Sequence, residues 1–499
     1  MIVKAVVLTT LAKEKSTVTK SKPASENKVR YAQYFTPAPV ASFMVRMFAD
    51  SCQNQATILD PGAGGGILGL SLVKQLSAKV TDTSTTLIEI DEQVFQALRV
   101  NVEQIYNNNT AVLINGDFIE EGFRLLHDGQ RFSHIIMNPP YFKLQKDSKT
   151  SDYLMSCGVN VTNIYSAFMW LGLMLLCDNG QMVAIVPRSF CNGPYFLRFR
   201  EYIAANVSIE AIHTFSSRDK VFSKDQVLQE NVIIRFSKQP QSSRVEVSYS
   251  SDQSFSDVLK TTFPASEVLN KDDRDLTICI PTYLNTTKLS DYARCSLSDI
   301  GLGVSTGPVV DFRQIDFIAQ EGGNGSVPLL YPAHMKDGQI EWPLDKLPKR
   351  GQHYFPQPGL WSNTDELLSG DKNVSPTDGY YVVVRRFSSK EEKRRIYAAV
   401  VEPSIHRNGV AFENHLNYFH IKKHGFDKTL AYGLSAYLNS SLLDELFRSF
   451  SGHTQVNATD LRNLPYPSES QLREIGRIAL EKPVPIETVV TVEVLKECA

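Results

Sequence analysis

The chain has 499 residues, 42% of them hydrophobic and 21% charged, with a formal net charge of -2. That length allows two or three domains with sizeable cores. The near-neutral balance excludes a chain that is basic throughout, so any nucleic-acid surface must be a local patch. The seven cysteines are scattered and never form a CxxC pair, which argues for reduced thiols and against disulfides or structural zinc.

No apolar run approaches the ~18 residues that span a membrane. The opening MIVKAVVLTTLAKEK has a short apolar core but no small-residue cleavage site, so export is not expected. Residues 1–29 read as a polar leader. From about Val40 the texture is α/β. VASFMVRMFAD predicts a helix, ATILD a strand, ILGLSLVKQL a helix, TTLIEID a strand, EQVFQALRVNVEQIY a helix, and AVLINGD and SHIIM two further strands.

Beyond Tyr141, KLQKDSKTSDYL reads as an irregular polar segment. YSAFMWLGLMLLC then predicts a buried helix, DNG a turn, QMVAIVP a strand and NVIIRFSK a late strand. Strand–helix alternation with apolar strands implies a doubly wound, mainly parallel sheet with helices on both faces. Composition shifts at SKQPQSS, and the βαβ rhythm is lost beyond it. The expected catalytic domain covers residues 30–280, and a mixed α+β domain covers 281–499. In the latter, TLAYGLSAYLNSSLLDELFRSF is the main helical stretch.

The first strand runs into ILDPGAGGGILGL, with four glycines between residues 62 and 66. Glycines there let the backbone approach a ligand closely. The Lys-Ser/Thr ending of a phosphate loop is missing. Gly64-x-Gly66-x-x-Gly69 alone is equally compatible with a tight structural turn. Asp60 beside the loop would repel a phosphate and attract a positive centre. Glu89 at the next strand end is placed to accept ribose hydroxyls. Asp117 and Phe118 follow the third strand, where a carboxylate can take an amino group and an aromatic can cover a ring. Successive strand ends line the crevice where open α/β sheets bind ligands. The fourth strand stops at Asn138-Pro139-Pro140-Tyr141, which taken alone could be an ordinary turn.

In this order the motifs resemble those of class I S-adenosylmethionine-dependent methyltransferases. More narrowly, they are similar to the gamma-class (TaqI-type) N6-adenine DNA methyltransferases of type II restriction–modification systems, PstI/BsuBI-like. The resemblance rests on YFTP (34–37), DPGAGGG, IEID, GDF, NPPY, NIYSAFM, VPRSF, VLQENVIIRF and SGHTQVNATDLRNLPYP. It covers about residues 30–470.

The resemblance implies S-adenosyl-L-methionine as cofactor, held by Thr36, Asp60, Pro61, Gly62, Ala63, Gly64, Glu89, Ile90, Asp117, Phe118 and Asn138. It implies catalysis by Asn138, Pro139, Pro140 and Tyr141 on an adenine flipped out of double-stranded DNA, with Tyr141 and Phe196 stacking on the base and no metal. Because the third strand reads INGDF with Asn115 at its end, the role of Asp117 is less closely matched than that of Glu89.

NPPY also occurs in enzymes resembling release-factor glutamine methyltransferases, which lack a C-terminal extension of about 200 residues. Protein or RNA methylation, or a silent nucleic-acid-binding module, are the alternatives. In the C-terminal half, Lys349, Arg350, Arg385, Arg386, Arg407, Asn408, His453 and Gln455 are the candidate DNA contacts, since Arg and Asn/Gln suit base edges. Neither E-x-K-like triplet, Glu391-Glu392-Lys393 or Glu26-Asn27-Lys28, sits in a strand core, so a nuclease activity is not expected. A separate restriction endonuclease is then the implied partner, and a prokaryotic cytoplasmic monomer acting on nucleoid DNA the implied setting. A palindrome such as CTGCAG would follow as the target.

Overall fold

The structure is a computed structural model. It describes residues 6–9, 36–49, 55–78, 80, 82–105, 110–145, 148–156, 158–215, 231–281, 289, 292–319, 322–323, 326–344, 354–356, 373–388, 392–451, 454–481 and 490. The chain forms two compact units, Met1–Pro281 and Thr282–Ala499.

The first unit is built on strands β1 (Val6–Thr9), β2 (Gln55–Pro61), β3 (Asp82–Glu89), β4 (Thr110–Asn115), β5 (Phe132–Met137), β6 (Leu176–Pro187), β7 (Ser208–Phe215), β8 (Asn231–Ser237), β9 (Arg244–Ser250) and β10 (Leu259–Pro264). They form one ten-stranded sheet in the order β1-β4-β3-β2-β5-β6-β8-β7-β9-β10. Strands β1 to β6 run parallel, and β8 lies antiparallel to both β6 and β7. β1 falls within the stretch read as a polar leader, and β9 and β10 extend the sheet past the composition shift.

Helices α1 (Ala38–Arg46), α2 (Ile67–Leu76), α3 (Glu92–Ile105), α4 (Phe118–His127), α5 (Lys149–Ser156), α6 (Ile164–Leu175) and α7 (Leu197–Asn206) belong to this unit. Residues alternate between the two faces of the sheet. Leu59, Ile88 and Ile114 pack in one core with α4, α6 and α7. Their neighbours Ile58, Leu87 and Leu113 pack in a second core with α1, α2 and α3. Because both faces are covered, these strands read as continuous apolar runs.

Two local expectations differ from the structure. The polar segment after Tyr141 contains α5, because Ser148 caps it through Ser151 N at 3.2 Å and Leu154 is buried beneath it. The Asp178-Asn179-Gly180 stretch is not a turn before a strand but a bulge within β6. Asn179 takes φ +61°, and a Cβ at Gly180 would lie 2.8 Å from the Cys177 carbonyl oxygen.

The second unit holds β11 (Gly303–Thr306), β12 (Ser326–Leu330), β13 (Met335–Lys336), β14 (Gln339–Ile340), β15 (Tyr354–Pro356), β16 (Val374–Ser375), β17 (Tyr381–Arg385), β18 (Ala398–Val401), β19 (Val410–Phe412) and β20 (Leu416–His420). They form a six-stranded sheet, β11-β20-β17-β18-β14-β13, and a four-stranded sheet, β15-β12-β19-β16. The long helical stretch divides into α8 (Lys428–Leu438) and α9 (Ser441–Phe450), because Ser440 caps the second helix through Leu443 N at 3.2 Å. α10 (Ala458–Arg462) and α11 (Glu469–Glu481) complete the unit. α8 and α11 touch backbone to backbone: a Cβ on Gly433 would fall 1.8 Å from the Leu472 carbonyl oxygen.

Candidate functional site

The candidate site lies at the C-terminal ends of β2, β3, β4 and β5. The β2–α2 loop turns through Gly62, Gly64 and Gly66 at φ +78°, +56° and +87°, a region closed to most side chains. Gly64 N donates to Glu89 Oε2 at 2.8 Å, and Asp91 N donates to Glu89 Oε1 at 2.9 Å. The Ile90 N–H also contributes a hydrogen bond to this carboxylate. Burial raises the Glu89 carboxyl above its ordinary pKa, while the backbone N–H groups of Asp91 and Gly64 pull it back.

Asp60 is 1% exposed and is turned beneath the loop: its Oδ2 accepts from Gly69 N at 2.8 Å, and its Oδ1 has no hydrogen-bond partner among the described residues. Burial pushes its pKa up to about 7, with Glu89 adding to the rise. Gly69 makes this contact feasible, since a Cβ there would lie 2.6 Å from Leu87 Cδ2 and 3.0 Å from Asp60 Oδ2.

Asp117 caps α4 by accepting from Ile119 N at 2.8 Å, and burial raises its pKa. Asn115 Nδ2 donates to the Glu89 carbonyl at 2.9 Å and ties the ends of β3 and β4 together. Phe118 packs against Phe168 with ring centroids 4.8 Å apart.

A cleft of about 450 Å³ opens here, lined by Gly62, Ile88, Ile90, Asp117, Phe118 and Phe168, with Gly116, Pro140, Phe142 and Ile164 around it. Apolar walls with one carboxylate suit a planar heterocycle bearing an amino group. Glu89 beside the loop suits vicinal hydroxyls. The residues present thus fit S-adenosylmethionine. Of the residues expected to hold the cofactor, Gly62, Ile90, Asp117 and Phe118 line this cleft, whereas Thr36, Asp60, Pro61, Ala63, Gly64, Glu89 and Asn138 are not among its lining residues.

Thr36 has a different contact. Asn138, at the end of β5, donates from Nδ2 to Thr36 Oγ1 at 3.0 Å. The Tyr141 hydroxyl lies 2.8 Å from Asn138 Oδ1 and 3.0 Å from the Ile185 carbonyl oxygen, and its single proton is shared between these two acceptors. The Asn138 amide is thereby held at both ends. Tyr165 meets Tyr141 edge-on at 6.4 Å and Phe196 at 6.0 Å, and its hydroxyl is 2.7 Å from Ser189 Oγ. Phe196 is itself buried, 8% exposed.

Sequence reading missed several residues at this end of the sheet. Arg200, 1% exposed, donates to the carbonyls of Asp275, Phe190 and Gly193 and clamps the loop before α7. Asn192 follows that β6 end, and Asn231 pairs with Pro187 at it; both are buried, with side-chain amides that find no partner among the described residues. No sequence pattern distinguishes a buried asparagine from a loop one. Among the described residues no cluster suited to a metal ion is present, and no helix is long and apolar enough to cross a membrane.

In the second unit, Arg407 and Asn408 are exposed. Arg385 pairs with Glu392 at 3.4 Å and lies over Tyr397, while Arg386 Nη1 donates to the Asn414 carbonyl at 3.2 Å. Gln455 bridges to Phe387. Lys349, Arg350 and His453 lie outside the described residues.

The family description "Eco57I restriction-modification methylase" matches residues 67–222. The chain is 40% identical to the type II methyltransferase M.BsuBI of Bacillus subtilis, over 98% of this chain and 96% of that protein. It is 36% identical to the type II methyltransferase M.PstI of Providencia stuartii, over 90% and 89%. A DrdV–DNA complex shares the fold, with a TM-score of 0.51 at 12% identity, covering 91% of this chain and 57% of that one. With this likeness along nearly its whole length, the chain belongs to the type II methyltransferases of restriction–modification systems, alongside M.BsuBI and M.PstI.

Proposed function

We propose that the protein transfers a methyl group from S-adenosylmethionine to the N6 amine of an adenine flipped out of duplex DNA. The observation that carries this reading is the Asn138 amide, held by Thr36 and Tyr141 at the strand end beside the cleft. S-adenosylmethionine, when bound, supplies a methyl group activated by a positive sulfur. Glu89, Ile90, Asp117 and Phe118 hold it, and the Gly62–Gly64 loop gives it room.

An exocyclic adenine amine is a weak nucleophile because its lone pair is delocalised into the ring. Asn138 Oδ1 accepts one amine hydrogen. The Pro139 carbonyl accepts the other, on a backbone made rigid by Pro139 and Pro140. Two acceptors at one nitrogen favour its tetrahedral, lone-pair-exposed form as charge develops. Asparagine is no base, so the amine proton leaves through water after attack. Tyr141 offers the base a stacking face, worth about 1–3 kcal/mol, against an unstacking cost of a few kcal/mol. Phe196, beyond Tyr165, serves as the second aromatic wall.

The second unit reads the sequence, with Arg407 and Asn408 the exposed candidates and Arg385, Arg386 and Gln455 held more tightly by neighbours. Lys349, Arg350 and His453 are proposed as further DNA contacts on sequence grounds. The protein acts as a monomer in the cytoplasm, on nucleoid DNA. Its product protects host DNA from a restriction endonuclease that acts separately on the same site.

The test incubates the purified chain and labelled cofactor with unmethylated duplex DNA containing CTGCAG among mixed sequence, and in parallel with RNA and protein. N6-methyladenine in the digested duplex is the expected product. Label confined to RNA, protein or cytosine refutes the reading. Asn138→Ala abolishes transfer while cofactor binding, followed by calorimetry, survives.

A further inference from the structure

The hairpin after β20 turns through Lys422 and Lys423, closed by Ile421 N to His424 O at 2.9 Å and His424 N to Ile421 O at 2.8 Å. Both lysines have positive φ, +48° and +77°. A two-residue turn of this kind normally uses Asn-Gly, because long side chains are strained there. Strain kept at two cationic side chains points to a task for them.

The hydrogen bonds around Lys423 show what that task is. Its backbone N–H donates to His420 Nδ1 at 3.1 Å, so the ring proton of His420 is on Nε2, 2.9 Å from Ser305 Oγ. Burial first, and then Lys423, lower the His420 pKa to about 4, which keeps the ring neutral. Lys423 Nζ donates to Ser305 Oγ at 2.6 Å and to the Tyr418 hydroxyl at 3.2 Å. Ser305 lies directly opposite Tyr418 across the β11–β20 pair, and Gly303 opposite His420 leaves space for the imidazole.

Ser305 Oγ thus accepts two hydrogen bonds, and neither neighbour takes its proton. The same holds for the Tyr418 hydroxyl, whose oxygen accepts from Lys423. No acceptor for either proton is found among the described residues. A nucleophilic serine needs a base, and both groups facing Ser305 are donors. What remains is two O–H donors and an ammonium, with the exposed Arg462 anchored next to them by Nη2 on the Val304 carbonyl at 3.2 Å. The carboxylate at this hairpin, Asp378, is already taken by His424 Nδ1 at 2.5 Å and Gly425 N at 3.0 Å. Donors and cations without a competing carboxylate match a phosphate oxyanion. Lys423 and Arg462 are exposed and Ser305 is half-buried above the buried Tyr418, so the group opens to solvent on its lysine side.

We propose that Ser305, Tyr418 and Lys423, with Arg462 beside them, form a site for one backbone phosphate of bound DNA. This rests on the DNA reading above. The test measures binding of the full chain to mixed-sequence duplex by fluorescence anisotropy across a salt titration. Lys423→Gln is expected to weaken binding about five- to tenfold and to flatten the slope of log affinity against log salt by about 1. The pair Lys422→Asn and Lys423→Gly, which suits the turn, is expected to raise the melting temperature while weakening binding as much. Lys423→Arg is expected to keep the wild-type slope. Unchanged affinity and slope in the first two variants overturn the phosphate site and leave the DNA reading standing. A wild-type chain that binds no duplex overturns the DNA reading itself and the site with it.

Discussion

Thr36 and Asn138, 102 positions apart, meet through a 3.0 Å hydrogen bond in which the asparagine amide donates to the threonine hydroxyl. An amide has two ends, and only one of them can accept a substrate hydrogen. With Nδ2 committed to Thr36, Oδ1, which also faces the Tyr141 hydroxyl, is the acceptor end turned to the corner beside the cleft.

Thr36→Val keeps the shape and removes the acceptor. The loss of about 0.5–1.5 kcal/mol of orientation corresponds to a fall in the transfer rate of about 2- to 13-fold. Cofactor affinity stays within about twofold, and Thr36→Ser restores the rate. Steady-state transfer at saturating cofactor, alongside calorimetric cofactor binding, checks this. A loss of cofactor affinity without a loss of rate would show Thr36 to be a cofactor ligand instead.

Tyr141→Phe keeps an aromatic face but loses the hydroxyl between Asn138 Oδ1 and the Ile185 carbonyl. Tyr141→Ala loses both. The expected order of activity is Tyr, Phe, Ala. The step from Phe to Ala should be the larger, about 5- to 160-fold, if stacking supplies about 1–3 kcal/mol. A 2-aminopurine probe at the target position should lose its flipped-state fluorescence only in Tyr141→Ala.

Asp60 gives a pH signature. Its folded pKa, about 7, is above the ordinary value of 3.8, so between those limits the folded state binds the extra proton. Stability from this group is therefore full below about pH 4 and declines as pH rises to about 7. Asp60→Asn, which can still accept from Gly69 N, should flatten the decline and raise stability at pH 8, on the order of a few kcal/mol. Urea unfolding at pH 5 and pH 8 measures the difference. An unchanged difference between wild type and variant across those pH values would show that Asp60 does not carry the proton.

Asn192 and Asn231 bury amides with no partner among the described residues, and each unsatisfied group costs about 1–3 kcal/mol. Replacement by leucine should therefore raise the melting temperature in each case, read by calorimetry. A lower melting temperature would mean that these amides are satisfied in solution, by ordered water.

Much of the first unit was readable because its signals are local. The α2 boundaries coincide with ILGLSLVKQL, since glycines precede it and the apolar stripe ends at Leu76. The strands were legible as apolar runs because both faces of the sheet are covered. α5 was not, because a helix of eight residues in a polar segment depends on one capping serine and one buried leucine. The bulge in β6 was missed for a similar reason: Asp-Asn-Gly has the same turn preference whether the strand ends there or loops out and continues.

The sequence by itself determined the order of the motifs, the strand-end positions of Asp60, Glu89, Asp117 and Asn138, and the family resemblance, because each depends on neighbours within a few residues. Tertiary structure alone decided which of those carboxylates faces the cleft. Asp60 turns under the loop onto Gly69, whereas Asp117 lies on the wall. It alone brought Thr36 to Asn138, and Ser305 to Lys423 across a strand pair. Hydrogen bonds between residues about a hundred positions apart leave no period or spacing in a chain. They exist only once the sheet has set the distance between them.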